Sequence, residues 1–291
     1  MYIRVERGGY MKKVNLLFWV CILYILVSVR CNTDKMNMKE NPIHFDSIQV
    51  AETYYLFDDT TKAGCNIQIS FTFPDSADNR LLKPIQNIFV EQFFGDSFKN
   101  LSPEQAVLKY IKQYIEGFKS VESLDHDTVA NDDEYYKDES GYSCYARLKD
   151  HILFNRSDFL SFTVELLSYE GGAHSSKSIY GYVIDLKTGE LLQEEQFAGN
   201  EYYSRISEIL IDSIVKSNEV EKPEDLENLG YNSLSDIHPN NNFTIDDKGI
   251  TYYFNENEIG GTMLGLTQIF IPYEEFKLYL NEEAPLKTLW R

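Results

Sequence analysis

Residues 159–167 read Phe-Leu-Ser-Phe-Thr-Val-Glu-Leu-Leu, and the fold class turns on how that stretch is read. Leu160, Phe162, Val164 and Leu166 alternate with Ser161, Thr163 and Glu165. A period of two sends successive side chains to opposite faces of a strand, so one row meets a core. The same period recurs upstream, where Ile67, Ile69, Phe71 and Phe73 alternate with Gln68, Ser70 and Thr72. The turn 58–64 joins this strand to another over Ile48–Phe57, which predicts a hairpin.

Between the two alternating stretches the period changes to that of a helix. Ile85, Ile88, Phe89 and Phe93 share one face, with Pro84 tolerated in a first turn. Ser102-Pro103-Glu104-Gln105 supplies an N-cap, a first-turn proline and a capping-box partner. The stripe Ala106, Val107, Tyr110, Ile111, Tyr114, Ile115 and Phe118 follows it. A loop is expected over about 123–140, then strands over 142–148 and 159–167. Further on come a strand over 179–186, a helix over 202–215, a hairpin turning at Asp246-Asp247-Lys248-Gly249, a strand over 266–271 and a short helix over 273–280. Runs of strands with segregated helices predict an α+β fold, with antiparallel sheets, helices packed on one face and two sequential α+β subdomains. The expected division is an export segment 1–31, a tether 32–44, and subdomains 45–168 and 169–285.

Lys12-Lys13 precedes an apolar run over 14–29, the pattern of an export signal or anchor. Met11 is the natural start of such a signal, and residues 1–10 are expected to be an upstream extension. Cys31 stands where a bacterial lipoprotein carries its acylated cysteine, although Arg30 occupies a position where a small residue is expected. This predicts a lipid-anchored protein of the cell envelope. The chain of 291 residues has 27 basic and 46 acidic side chains, a net charge of −19. Removing residues 1–30 leaves 22 basic and 45 acidic groups, hence −23 for the exported part. Such a balance excludes nucleic acid and anionic lipid surfaces as partners, since both are held by clustered Lys and Arg. It favours a cationic protein captured by salt-sensitive steering.

No motif of catalysis is present: no nucleophile elbow, phosphate-binding loop, dinucleotide fingerprint or metalloprotease pattern. The five histidines lack ligand spacing, so neither a metal nor another cofactor is expected. The acidic run 125–136 departs from a calcium loop at Val129, Ala130 and Tyr136. Cys65 and Cys144 are either a disulfide between neighbouring strands or two separate thiols. His174, brought to a rim by Gly171-Gly172, is either a binding residue or a strand-pairing group. Tyr169 is a further binding candidate, and so is Tyr253, because paired tyrosines on a regular strand leave one member exposed. Cell-wall glycan is the second ligand class considered, bound or processed by an envelope enzyme or accessory module.

Two motifs carry a family likeness. Tyr169-Glu170-Gly171-Gly172-Ala173-His174 is followed by Tyr182 and then Asp185-Leu186-Lys187-Thr188-Gly189-Glu190-Leu191-Leu192; a weaker pair is 249–254 with 269–276. With these, the chain resembles the extracytoplasmic region shared by RsiV-type anti-sigma factors and the N-terminal part of PdaC-type deacetylases, over roughly residues 45–283. The resemblance implies a receptor or accessory domain, with lysozyme as a ligand for RsiV-type members. Sigma-factor capture and deacetylation are not carried over, because the segments that perform them have no counterpart in this sequence.

Overall fold

The computed structural model describes residues 38–62, 64–78, 80–128, 144–170 and 174–290, with the backbone alone for 121–128. Strands β1 (His44–Tyr55), β2 (Gly64–Ser76), β3 (Cys144–Arg156), β4 (Phe159–Tyr169), β5 (Ser176–Asp185) and β6 (Glu190–Leu191) form one sheet in that order. Helices α1 (Leu82–Phe94) and α2 (Pro103–Thr128) connect β2 to β3. After the sheet come α3 (Tyr202–Ser217) and a second sheet of β7 (Phe243–Ile245), β8 (Gly249–Phe254) and β9 (Thr267–Pro272), then the single turn α4 (Tyr273–Phe276). The fold is α+β, as expected.

The large sheet departs from the expected antiparallel pattern at one junction, where β2 pairs with β3 in parallel. A hairpin cannot join parallel neighbours, so the crossover through α1 and α2 is what permits this pair. α2 begins as its sequence predicts: the Gln105 amide N–H donates to Ser102 Oγ, and the Ser102 N–H donates to Gln105 Oε1. The helix runs on to Thr128, into the segment expected to be loop. Its buried Ala106, Val107 and Ile111 join Ile85, Phe89, Val90, Phe93 and Phe94 of α1 against Ile67, Ile69 and Phe71 of β2. Phe89 stacks on Phe162 of β4 with ring centroids 4.1 Å apart, which ties α1 to the middle of the sheet.

The expected boundary at 168/169 falls one residue before the end of β4, which is hydrogen-bonded to β5 along ten residue pairs of one continuous sheet. Residues Met38–Arg291 form one compact unit across it. The second sheet packs on the face opposite α1 and α2, over the β4–β5 half. Ser161 and Thr163, which alternation alone would leave wet, are therefore buried, and the Ile245 N–H donates to Ser161 Oγ. Side chains satisfy the outer edge of β5. The Gly181 N–H donates to Asn242 Oδ1, Asn242 Nδ2 donates to the Ile179 carbonyl, and the Ile179 N–H donates to Asn255 Oδ1. An edge strand's free groups are thus paired locally, where they would otherwise template another chain. A Cβ on Gly181 would lie 2.7 Å from the Phe243 backbone, so glycine permits this approach.

Candidate functional site

The second sheet covers only the β4–β5 half of the large sheet. Among the described residues the remainder of that face stays open, and register decides what it displays. Three rows cross the strands: Thr53, Asn66, Tyr145 and Tyr169; then Ala51, Gln68, Arg147, Leu167 and Lys177; then Gln49, Ser70, Lys149 and Glu165. The last row and the middle row as far as Leu167 line a shallow groove of about 440 Å³. Because β2 and β3 are parallel and offset by 79 positions, residues far apart in sequence meet in each row.

The groove's charge runs against that of the chain. Lys149 and Lys177 both pair with Glu165, at 3.1 and 3.3 Å. Arg147 is exposed and makes no ion pair among the described residues. Its planar guanidinium carries five donors suited to bidentate capture of a carboxylate. Around it, Asn66 Nδ2 donates to Thr53 Oγ1 at 2.8 Å and Gln68 Nε2 donates to Asn66 Oδ1 at 3.1 Å, which orients the amides across the face. At the end of the groove Tyr145 and Tyr169 stack, with centroids 5.8 Å apart and planes 27° from parallel. A cationic group, oriented amides, a hydroxyl and an aromatic pair on one open face can bind a polar ligand that carries an anionic group.

The residues singled out from sequence do not converge on one site. Tyr169 lies at the edge of the open face, half-buried against Tyr145. His174 is exposed beyond it, with Gly171 and Gly172 outside the described residues. Tyr253 is buried, and its hydroxyl is paired with Thr244 Oγ1 at 3.0 Å. This corrects its candidacy as a binding residue. Both faces of β8 are covered, so neither Tyr252 nor Tyr253 reaches the surface. Cys65 and Cys144 face each other on β2 and β3 as free thiols. Cys31 and the whole export segment lie outside the described residues, as does most of the acidic run at 125–136. No helix among the described residues is long and apolar enough to cross a membrane, and no cluster of three or more His, Cys, Asp or Glu there could hold a metal ion.

Sequence reasoning missed Arg147, Lys149 and Gln68. Alternation in β2 marks Gln68 as facing away from the core, but nothing in sequence says that Arg147 stands beside it. A buried carboxyl, Glu194, was missed as well. The Tyr252 hydroxyl donates to Glu194 Oε1 at 2.6 Å, and the Tyr202 and Tyr252 hydroxyls lie 2.7 Å apart. Burial pushes the Glu194 carboxyl up to about 7, against the opposing pull of the Tyr252 hydrogen bond. Glu194, Tyr202 and Tyr252 are all 0% exposed, so no polymer reaches this carboxyl; it joins the turn before α3 to the second sheet.

That network opens the segment on which the comparisons agree. Residues 192–274 match the family described as "Protein of unknown function (DUF3298)". The match spans α3 and the second sheet. Over a much longer stretch the chain is similar to a member of the DUF3298 family from Bacteroides fragilis, with 28% identity, 87% of this chain and 99% of that chain covered, and a TM-score of 0.77. It is also similar to a DUF3298 family protein from Pseudomonas aeruginosa, with 10% identity, coverage of 84% and 97%, and a TM-score of 0.57; there the likeness is one of fold. Among curated proteins none matches the chain. The open face lies on β1–β4, outside the DUF3298 segment, which supplies the layer that walls one side of it.

Proposed function

We propose that the chain is an envelope-anchored binding module, held through Cys31, whose open sheet face takes a carboxylate-bearing cell-wall glycan. The observation that carries this reading is the unpaired Arg147 in an open groove of mixed polar and apolar lining, with Lys149 beside it and the Tyr145–Tyr169 stack on the same face, on a chain of net charge −19. Net charge is a whole-surface sum and a groove is read locally, so the expected preference for a cationic partner does not describe this face. Stacking tyrosines suit sugar rings, amides suit hydroxyls, and the guanidinium suits the acid group. The RsiV-like and PdaC-like resemblance supports an extracytoplasmic setting and a receptor or accessory role, without chemistry of its own.

The test is co-sedimentation of the purified chain with cell-wall sacculi. Arg147→Glu should weaken binding by about tenfold, equivalent to about 1.4 kcal/mol. Lys112→Glu makes the same charge change on the exposed side of α2 and should leave binding unaltered. Equal loss in both variants would refute the groove as the site. Salt-sensitive capture of lysozyme without binding to sacculi would instead favour the acidic surface and a cationic protein partner.

A further inference from the structure

The two cysteines left over by this reading stand at the start of the parallel junction. In the β2–β3 register Cys65 is directly opposite Cys144, so both side chains leave the sheet on the same face. Directly opposed residues on neighbouring strands lie roughly 4.8 Å apart, inside the window of about 4.4–6.8 Å between Cα atoms that a disulfide spans. The face they share is the one covered by α2, and burial chiefly, together with the two thiols beside it, pushes the Tyr114 hydroxyl of that helix up. That hydroxyl is buried without a hydrogen-bond partner among the described residues. The two thiols differ in access: Cys65 is 2% exposed, whereas Cys144 is half-buried.

We infer that Cys65 and Cys144 are a reversible thiol pair that is oxidised to a cross-strand disulfide by exchange with a small-molecule disulfide. Cys144 is the attacking sulfur, because it is the accessible one. A hydrogen bond from the Cys65 thiol holds the Cys144 thiol below its ordinary range, while that bond and burial push Cys65 up. The Cys144 thiolate attacks one sulfur of the oxidant, the oxidant's S–S bond breaks, and one thiolate leaves and takes up a proton. Cys65 then loses its proton to solvent and attacks the Cys144 sulfur of the mixed disulfide, expelling the second thiol. Two thiols of the protein are oxidised and one disulfide is reduced to two thiols. The bond would close the β2–β3 junction directly beside Asn66 and Tyr145, the next residues on each strand and members of the first row of the open face.

The experiment uses the full-length chain, reduced and then incubated with oxidised glutathione, acid-quenched, alkylated in denaturant and digested. The peptides carrying Cys65 and Cys144 should be recovered linked to each other and unalkylated, and dithiothreitol should restore two alkylated peptides. Cys65→Ser should trap glutathione on Cys144, whereas Cys144→Ser should leave Cys65 without glutathione in the folded chain. Recovery of both peptides alkylated after oxidation would overturn the inference, as would glutathione on Cys65 in the wild-type chain. The wild-type measurement stands even if a variant fails to fold. It is also independent of the glycan reading, which sedimentation of the reduced chain decides separately.

Discussion

Asp150 offers the most direct check on the packing of the large sheet. It stands on the core face of β3, 5% exposed, where Ala146 and Leu148 precede it on the same side. One carboxyl oxygen accepts the Thr72 N–H at 2.8 Å just past the end of the parallel ladder, and the other is buried without a partner. Burial pushes the group from 3.8 up to about 7, against the Thr72 hydrogen bonds that pull it down. The folded chain therefore holds a proton there that the unfolded chain gives up near pH 4. A group raised in the folded state contributes stability that is fully present below its unfolded value and lost as pH rises through its folded value. Between pH 5 and pH 7 the loss runs at about 1.36 kcal/mol per unit, or about 3 kcal/mol, and then levels off. Asp150→Asn keeps an acceptor for Thr72 and cannot ionise. Denaturant unfolding of both proteins at pH 5 and pH 8 supplies the comparison, since terms common to both cancel. The variant should gain about 3 kcal/mol on the wild type between the two pH values. An offset that is the same at both would refute the buried, half-satisfied carboxyl.

Glu194 acts in the same pH window and direction, so wild-type pH dependence alone does not separate the two sites. Tyr252→Phe removes the donor to Glu194 Oε1 and the partner of Tyr202, and should cost about 2 kcal/mol in denaturant unfolding at pH 8. The cost should shrink at pH 5, where the carboxyl is neutral; an equal cost at both values would contradict the assignment. Phe89→Ala empties the site stacked on Phe162 and should destabilise by about 3–5 kcal/mol, measured by thermal or denaturant unfolding. Gly181→Ala forces a Cβ against the Phe243 backbone, so amide exchange should rise first at the Ile245 and Ile179 N–H groups that join the two sheets. Unchanged protection there would show that the second sheet is not held as described.

Much of the fold is legible because alternation and helical spacing are local properties of the chain. The order β1-β2-α1-α2-β3-β4-β5, then α3, three strands and α4, follows from periods of two and 3.6, and the Ser102 cap follows from side-chain chemistry. The end of β3 is harder to read: Asp150 and His151 break its apolar pattern, yet pairing with β4 carries the strand to Arg156. The coverage of Ser161 and Thr163 is not local either. Their second face is buried by a sheet that arrives some 80 residues later, so the alternation that correctly orients them cannot say which face meets water.

By itself the sequence determined the element order, the α+β class, the apolar faces that build the core and the acidic balance of the chain. Each depends on composition or on neighbours within a few positions. Tertiary structure alone decided that β2 and β3 run parallel, that Cys65 meets Cys144, and that Arg147 stands between Gln68 and Leu167 on an open face. Those facts depend on strand order and register, which place residues about 80 positions apart at a single strand spacing, and no local period encodes that choice.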